Sequence, residues 1–325
     1  MNILVTGGAG YVGTRLVQKL TKHKHNVVVL DTLTYGCAIK DFKSDSSITI
    51  IQGDIRSKKD VNKALQNIDV VYHLAAISND PTGDLNPQTT IDVNSGGTEV
   101  LLKECNKSGI KRFVYASSSS VFGIQPSENV TEETIPKPIT VYSKTKLEAE
   151  QMVLGQQGFV TVAIRPATIC GVSPRQRFDL AVNALCGSAY FDDVITVYGG
   201  DQRRPNLTME NMLSIYLLLL TISSDRINQQ VFNAGWENST ILELAHKVNK
   251  HFYVPIIVKP TKDVRDYHIC SKKIEKELGF GPLYSKYPFF TVDDAIEELK
   301  NVMNYGFFQH YKTPKYNNIL VLKGN

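Results

Sequence analysis

The stretch VTGGAGYVGTRL (5–16) sets glycines 7, 8, 10 and 13 between an apolar run, NILVT (2–6), and an amphipathic one. A glycine turn that ends a strand and opens a helix lets backbone amides close on a ligand. The spacing G-x-G-x-x-G suits a pyrophosphate resting at the positive end of the helix. The next 150 residues keep the matching rhythm. NVVVLD (26–31), ITIIQGD (48–54), DVVYHLAA (69–76), RFVYAS (112–117) and FVTVAIRP (159–166) are nearly continuous in apolar residues, as strands covered on both faces must be. Helical patterns such as GTRLVQKLTKH and SGGTEVLLKECNKSG alternate with them. The expected fold class is α/β, a doubly wound parallel sheet of the Rossmann type.

The glycine turn supplies Gly7, Gly10, Tyr11 and Val12 as cofactor-binding candidates. The second strand ends in Asp31, whose carboxylate can accept both ribose hydroxyls of an adenosine and would repel a 2′-phosphate. No Arg or Lys lies between Thr32 and Ala38, so NAD is expected rather than NADP. Further strand ends add Asp54 and Ile55 (GDI), Leu74, Ala75 and Ala76 (HLAA), and Pro166. Asp54 reads equally as an adenine contact or as the cap of the next helix.

In VYSKTKLEAEQ, Tyr142 and Lys146 stand at i, i+4 and so on one helix face. A phenol with its ordinary pKa near 10 is a weak base at neutral pH; an ammonium one turn away and a positive nicotinamide ring would lower that value. The serine run in RFVYASSSSVFG ends a strand on the sheet edge that carries the glycine turn, where open α/β sheets bind ligands. A serine hydroxyl there can bond an alcohol oxygen while Tyr142 takes its proton and hydride passes to NAD.

After residue 168 the pattern changes. Helix-like RFDLAVNALCGSA (177–189) and MENMLSIYLLLLTI (209–222) alternate with strand candidates ITVYG (195–199) and QVFNAG (230–235). The expected organisation is an NAD-binding domain over 1–168 and a smaller mixed α/β substrate lobe over 169–325, with segments free to cross between them. NILVL (318–322), in the tail, is a candidate edge strand, and SNDPTGDLNP (78–87) either reaches over the substrate or is a solvated crossover. LSIYLLLLTI is about half a membrane span, so it reads as a core helix, and MNILVTGG is too soon interrupted to be a signal peptide. A net charge of +4 without a Lys/Arg run points to neither nucleic acid nor membrane. Five cysteines with no C-x-x-C pair suit a reduced, cytoplasmic protein.

Taken together, TGGAGYVG, Asp31, GDI, HLAA, SSSSVFG, YSKTK, RPATICG, RFDLAVN, DQRRPNLTMEN and VRDYHICSKKIEKELGF resemble the extended short-chain dehydrogenase/reductases of the NAD-dependent nucleotide-sugar epimerase/dehydratase family. The resemblance places the family's catalytic serine or threonine on Ser118, with Ser119 and Ser120 as second choices that face the substrate, and its Y-x-x-x-K on Tyr142 and Lys146. It implies a nucleotide-diphosphate sugar as substrate, contacted by Asn183, Arg204 and Arg265. Arg175 and Arg177 are further diphosphate candidates, since a guanidinium bridges phosphate oxygens. It also implies a homodimer through a four-helix bundle, with Asn94 beneath the catalytic helix. Family 4,6-dehydratases carry an Asp-Glu pair where this chain has Ser119 and Ser120, so dehydration is disfavoured. A 4-epimerase acting through a transient 4-ketone is expected, with a 4-dehydrogenase, a decarboxylase or a non-catalytic NAD-binding regulator as alternatives. Phe122 in place of the usual tyrosine, the missing asparagine in RPATICG and the unusual RPNLT leave the sugar and base open.

Overall fold

The structure, a computed structural model, describes residues 1–39, 46–125, 129–261, 266, 268–283 and 286–324. The chain first forms β1 (Asn2–Thr6), α1 (Tyr11–Lys22), β2 (Asn26–Asp31), β3 (Ile48–Gln52), α2 (Lys58–Ala64) and β4 (Val70–His73). Short helices α3 (Asp80–Gly83) and α4 (Pro87–Ile91) and a π-helical turn (Asp92–Gly96) lead into α5 (Gly97–Ser108), β5 (Arg112–Ala116), α6 (Val141–Leu154) and β6 (Val160–Pro166). Then come β7 (Thr168–Cys170), α7 (Ala181–Phe191), β8 (Ile195–Tyr198), β9 (Arg203–Thr208), α8 (Met209–Thr221), β10 (Gln230–Ala234) and β11 (Glu237–Thr240). The remainder is α9 (Ile241–Phe252), β12 (Ile256–Lys259), α10 (Lys272–Leu278), α11 (Val292–Asn304) and α12 (Asn318–Gly324).

Seven strands make one parallel sheet in the order β10-β6-β5-β4-β1-β2-β3. The order reverses between β1 and β4, so the loops after these two strands diverge and leave a crevice at their carboxyl ends. Strand alternation sorts the core into two faces. Ile3 and Val5 of β1 pack with Leu16 and Val17 of α1 and Met212 and Leu219 of α8. Leu4 points the other way, into a cluster with Val61 of α2, Leu101 of α5 and Val153 of α6. The largely apolar stretch 213–222 thus forms the end of helix α8 and its C-cap, buried against the sheet, and no described helix is long and apolar enough to cross a membrane.

The structure refines the sequence reading at three places. QVFNAG returns to the large sheet as β10 beside β6, so the chain crosses back after leaving it. Segment 78–87 holds the short helix α3 and the start of α4, capped by the Asn79 and Asn86 side chains with Pro81 and Pro87 in their first turns, and its residues Ser78 to Pro81 line the cleft described below. NILVL is helix α12 and not an edge strand, because the Asn317 side chain accepts the Ile319 and Leu320 amides and starts a helix there. The smaller lobe gathers α7, α9 and α11 around β8, with Val182, Val197, Leu244 and Ile296 in its core.

A buried ion pair fastens α6 to the sheet. Arg165 of β6 donates twice to Glu150 (3.0 and 2.6 Å), and Ser117 at the end of β5 donates to the same carboxylate at 2.6 Å. Glu150→Ala strands Arg165 without its anion and is expected to cost about 3–5 kcal/mol in urea unfolding. A loss below about 1 kcal/mol would show that the pair does not hold the helix.

Candidate active site

A cleft of about 960 Å³ runs along the carboxyl ends of the strands. Its floor is built by close backbone approach. Gly7 has φ +72°, and a Cβ there would lie 2.6 Å from the Ala75 amide nitrogen; one on Gly13 would lie 2.2 Å from the Gly7 carbonyl oxygen. The turn, the start of α1 and the HLAA segment therefore meet main chain to main chain. Asp31 accepts the Ala9 amide on one carboxylate oxygen (3.0 Å) and the Leu33 amide on the other (2.8 Å), and burial raises its pKa. A glycine cradle at a helix start, with a carboxylate at the end of the neighbouring strand, fits an adenine dinucleotide.

Every residue expected at the cofactor, from Gly7 to Pro166, lines this cleft. Asp54 does not cap α2, because Ser57 does so by accepting the Asp60 amide. Its carboxylate is gripped by Arg56 instead, which lowers its pKa. Tyr11 is buried, donating to the Gly171 carbonyl (2.8 Å) and accepting from the Asn183 amide (3.0 Å).

Tyr142 sits in the first turn of α6, and that turn is held from several sides. Thr140 and Ser143 form a reciprocal capping box, and the Thr140 hydroxyl donates to Asp80 of α3 at 2.6 Å. Gly83 of α3 lies so close that a Cβ there would stand 2.9 Å from the Tyr142 Cβ. Asn94, in the π-helical turn, accepts the Ile77 amide (2.8 Å) and donates to Thr145 (3.1 Å). One turn along α6 is Lys146, only 3% exposed. Burial lowers its pKa to about 7, opposed by the Glu150 charge, and its Nζ lies 4.4 Å from the centre of the Tyr115 ring. Beneath it His73 bridges Thr6 and Thr98; burial, then the Lys146 charge, pulls it down to about 3, so this imidazole is neutral.

The four serines divide their work. Ser117 is committed to Glu150. Ser118 caps a 3₁₀ turn over Ser119–Phe122, accepting the Ser120 amide at 3.2 Å and sharing a 2.6 Å bond with the Ser120 hydroxyl. Ser118, Ser119 and Ser120 line the cleft together with Tyr142 and Lys146.

Farther along, Arg177 and Arg204 are buried cations in the cleft wall. Arg177 makes two bonds to Asp179 (2.8 and 2.9 Å) and reaches Ser78 at 3.3 Å, while Arg204 donates to the Arg203 carbonyl. Asn183 stands behind the wall, its carboxamide bonded to Tyr11, Gly171 and the Arg177 carbonyl. Arg265 lies outside the described residues. Arg175, grouped by sequence with the substrate, stacks over the Tyr35 ring at 4.4 Å and lies within electrostatic reach of Asp31. Sequence reasoning missed Tyr311, Lys312, Asn318 and Leu322, tail residues that complete the wall and belong to no motif. No cluster of metal-ligating side chains occurs among the described residues.

The Lys146 shift has a measurable consequence. Unfolding returns it toward 10.5, so between about pH 7 and 10.5 the unfolded chain holds the extra proton and stability rises with pH. Comparing wild type with Lys146→Met by urea unfolding at pH 7, 8 and 9 isolates this slope: the wild type is expected to gain relative to the variant at each step. Parallel curves would contradict a strongly shifted lysine.

A sequence profile of the NAD dependent epimerase/dehydratase family matches residues 3–235. A UDP-glucose 4-epimerase of Lactobacillus helveticus is 30% identical over 322 residues, covering 91% of this chain and 95% of that one. A 3-beta-hydroxysteroid dehydrogenase of Mycolicibacterium neoaurum is 36% identical over 301 residues, covering 88% of this chain and 77% of its own length. Among solved structures, a UDP-glucuronic acid 4-epimerase of Bacillus cereus in complex with UDP-glucuronic acid and NAD superposes with a TM-score of 0.82 at 28% identity, over 93% of this chain and 100% of that one. With the glycine cradle, Asp31 and the Tyr142/Lys146 helix arranged around one cleft, the chain belongs to the NAD-dependent epimerase/dehydratase family.

Proposed function

We propose that the protein is a nucleotide-sugar 4-epimerase that works through a transient 4-ketone with Tyr142 as the base. The observation that carries this reading is one cleft lined by Tyr142, Lys146 and Ser118 together with Ser119 and Ser120, the two serines that the family resemblance aligns with the carboxyl pair of its dehydratases. When bound, NAD supplies the two-electron acceptor and donor for the sugar carbon. Ser118 holds the reacting hydroxyl, Tyr142 takes its proton and later gives it back, and Lys146 in its protonated form, which it loses above about pH 7, favours the phenolate. Hydride returned by bound NAD to the opposite face would invert the carbon with no net redox change. A homodimer through α5 and α6 belongs to the same reading.

Arg177 and Arg204 are the side chains to meet the substrate's diphosphate, Arg177 once it shares its guanidinium with Asp179. The likeness to a steroid dehydrogenase would suggest an apolar substrate. Guanidinium groups in the wall favour an anionic one, since each can share its donors with phosphate oxygens.

A panel of UDP-, GDP-, CDP- and dTDP-sugars, with products separated by mass and NMR, tests the reaction class. Unchanged mass with inversion at C4 is expected. Loss of water would mean dehydration and refute the argument from Ser119 and Ser120, while a loss of two mass units with NADH accumulating would mean a dehydrogenase. Tyr142→Phe is expected to lower turnover by about 10²–10⁴-fold with NAD still bound. Undiminished turnover in that variant would exclude the phenol as base.

A further inference from the structure

Two buried arginines stand within two residues of each other in the loop before α7, and the structure treats them differently. Arg177 is paired with Asp179 and bonded to Ser78. Arg175, 5% exposed, forms no ion pair among those of the described residues. One of its terminal nitrogens donates to the Asn318 side-chain oxygen at 2.7 Å, and its buried Nε has no hydrogen-bond partner among the described residues. Its guanidinium lies over the Tyr35 ring and near Asp31, in the part of the cleft where the dinucleotide's adenosine half is read. Burial, then the neighbouring Arg177 charge, lowers its pKa to about 10, the condition of a cation that a nearby anion would relieve.

Asn318 is itself well placed to hold such a group. It is buried, its backbone amide donates to Asp179 (3.1 Å) and its side-chain nitrogen donates to Ser78 (3.0 Å). The tail that carries it is anchored on this loop and on the far end of α7. Phe178 packs edge-on against Phe308 and Tyr316, its amide donates to the Tyr316 carbonyl, and Tyr311 and Lys312 both bond Asp192 at 2.7 Å.

We propose that Arg175 is a binding residue for a phosphate of the dinucleotide and that Asn318 is the positioning residue that holds it there, so that the C-terminal tail contributes to how tightly NAD is bound. The inference rests on the cofactor half of the reading above and is independent of the sugar and of the reaction. A diphosphate could come from the dinucleotide or from the nucleotide sugar; the proximity of Tyr35 and Asp31 favours the dinucleotide, and the test separates the two.

The full-length protein, stripped of nucleotide, is titrated by calorimetry with NAD, ADP and adenosine. The NAD-loaded protein is titrated with UDP. Arg175→Met is expected to raise the Kd for NAD and for ADP by about tenfold or more, the loss of one charge-assisted hydrogen bond. Adenosine and UDP are expected to stay within about twofold, since neither uses that bond. Asn318→Leu is expected to weaken NAD severalfold, Asn318→Asp to restore it by keeping the acceptor, and the double variant Arg175→Met/Asn318→Leu to bind no worse than Arg175→Met alone. An unchanged Kd for NAD in Asn318→Leu, or a loss concentrated on UDP, would overturn the proposal. So would an equal loss for adenosine and ADP, or additive effects in the double variant. Because Asn318 lies in the tail, its variants test the idea even if Arg175→Met does not fold. A chain that converted no sugar at all would leave these binding constants unaffected.

Discussion

A lysine buried in the protein interior organises the candidate catalytic helix. Taking Lys146 out of water is unfavourable, and its depressed pKa records that cost. The surroundings limit it in three ways. Glu150 lies one turn further along α6, the Tyr115 ring offers its face, and His73 stays neutral instead of adding a second positive charge. Glu150 cannot answer to Lys146 alone, because Arg165 and Ser117 already take its oxygens. The helix, β5 and β6 are thereby tied through a single carboxylate, and the position of Tyr142 follows from that knot.

The other end of the helix is held by α3 and the π-helical turn around Asn94. Asp80 receives the Thr140 hydroxyl, Gly83 admits Tyr142 because it has no side chain, and Asn94 joins the Ile77 backbone to Thr145. A π-helical turn at Asn94 adds one residue to the helix turn and re-aims its carboxamide, a device often found beside functional sites. Helices α3 and α4 are too short to be stable alone; their Asn caps and prolines make them possible only where α6 gives them something to pack on.

Much of the site was legible because it rests on local chemistry. Gly7, Gly10, Asp31 and the i, i+4 pair Tyr142/Lys146 are read from spacing, since one strand, one turn and one helix suffice to place each of them. Legibility failed where partners come from distant segments. Asn183 offers the residue type a substrate diphosphate would want, yet its bonds are spent on Tyr11, Gly171 and Arg177. Arg175 read as one of several equivalent cations until folding set it over Tyr35. NILVL has a strand's composition, and only the cap from Asn317 and the docking of Asn318 against Ser78 and Asp179 make it a helix.

Residue order alone was enough to specify the parallel sheet, the dinucleotide turn and the tyrosine–lysine helix. Apolar runs, glycine spacing and a four-residue interval act within a few residues and do not depend on the rest of the chain. Folding in three dimensions was needed to settle which serine is structural, which arginine is already paired, and that the tail closes the cleft. Those outcomes are hydrogen bonds and ion pairs between segments as far as 240 residues apart, set by packing rather than by any pattern along the chain.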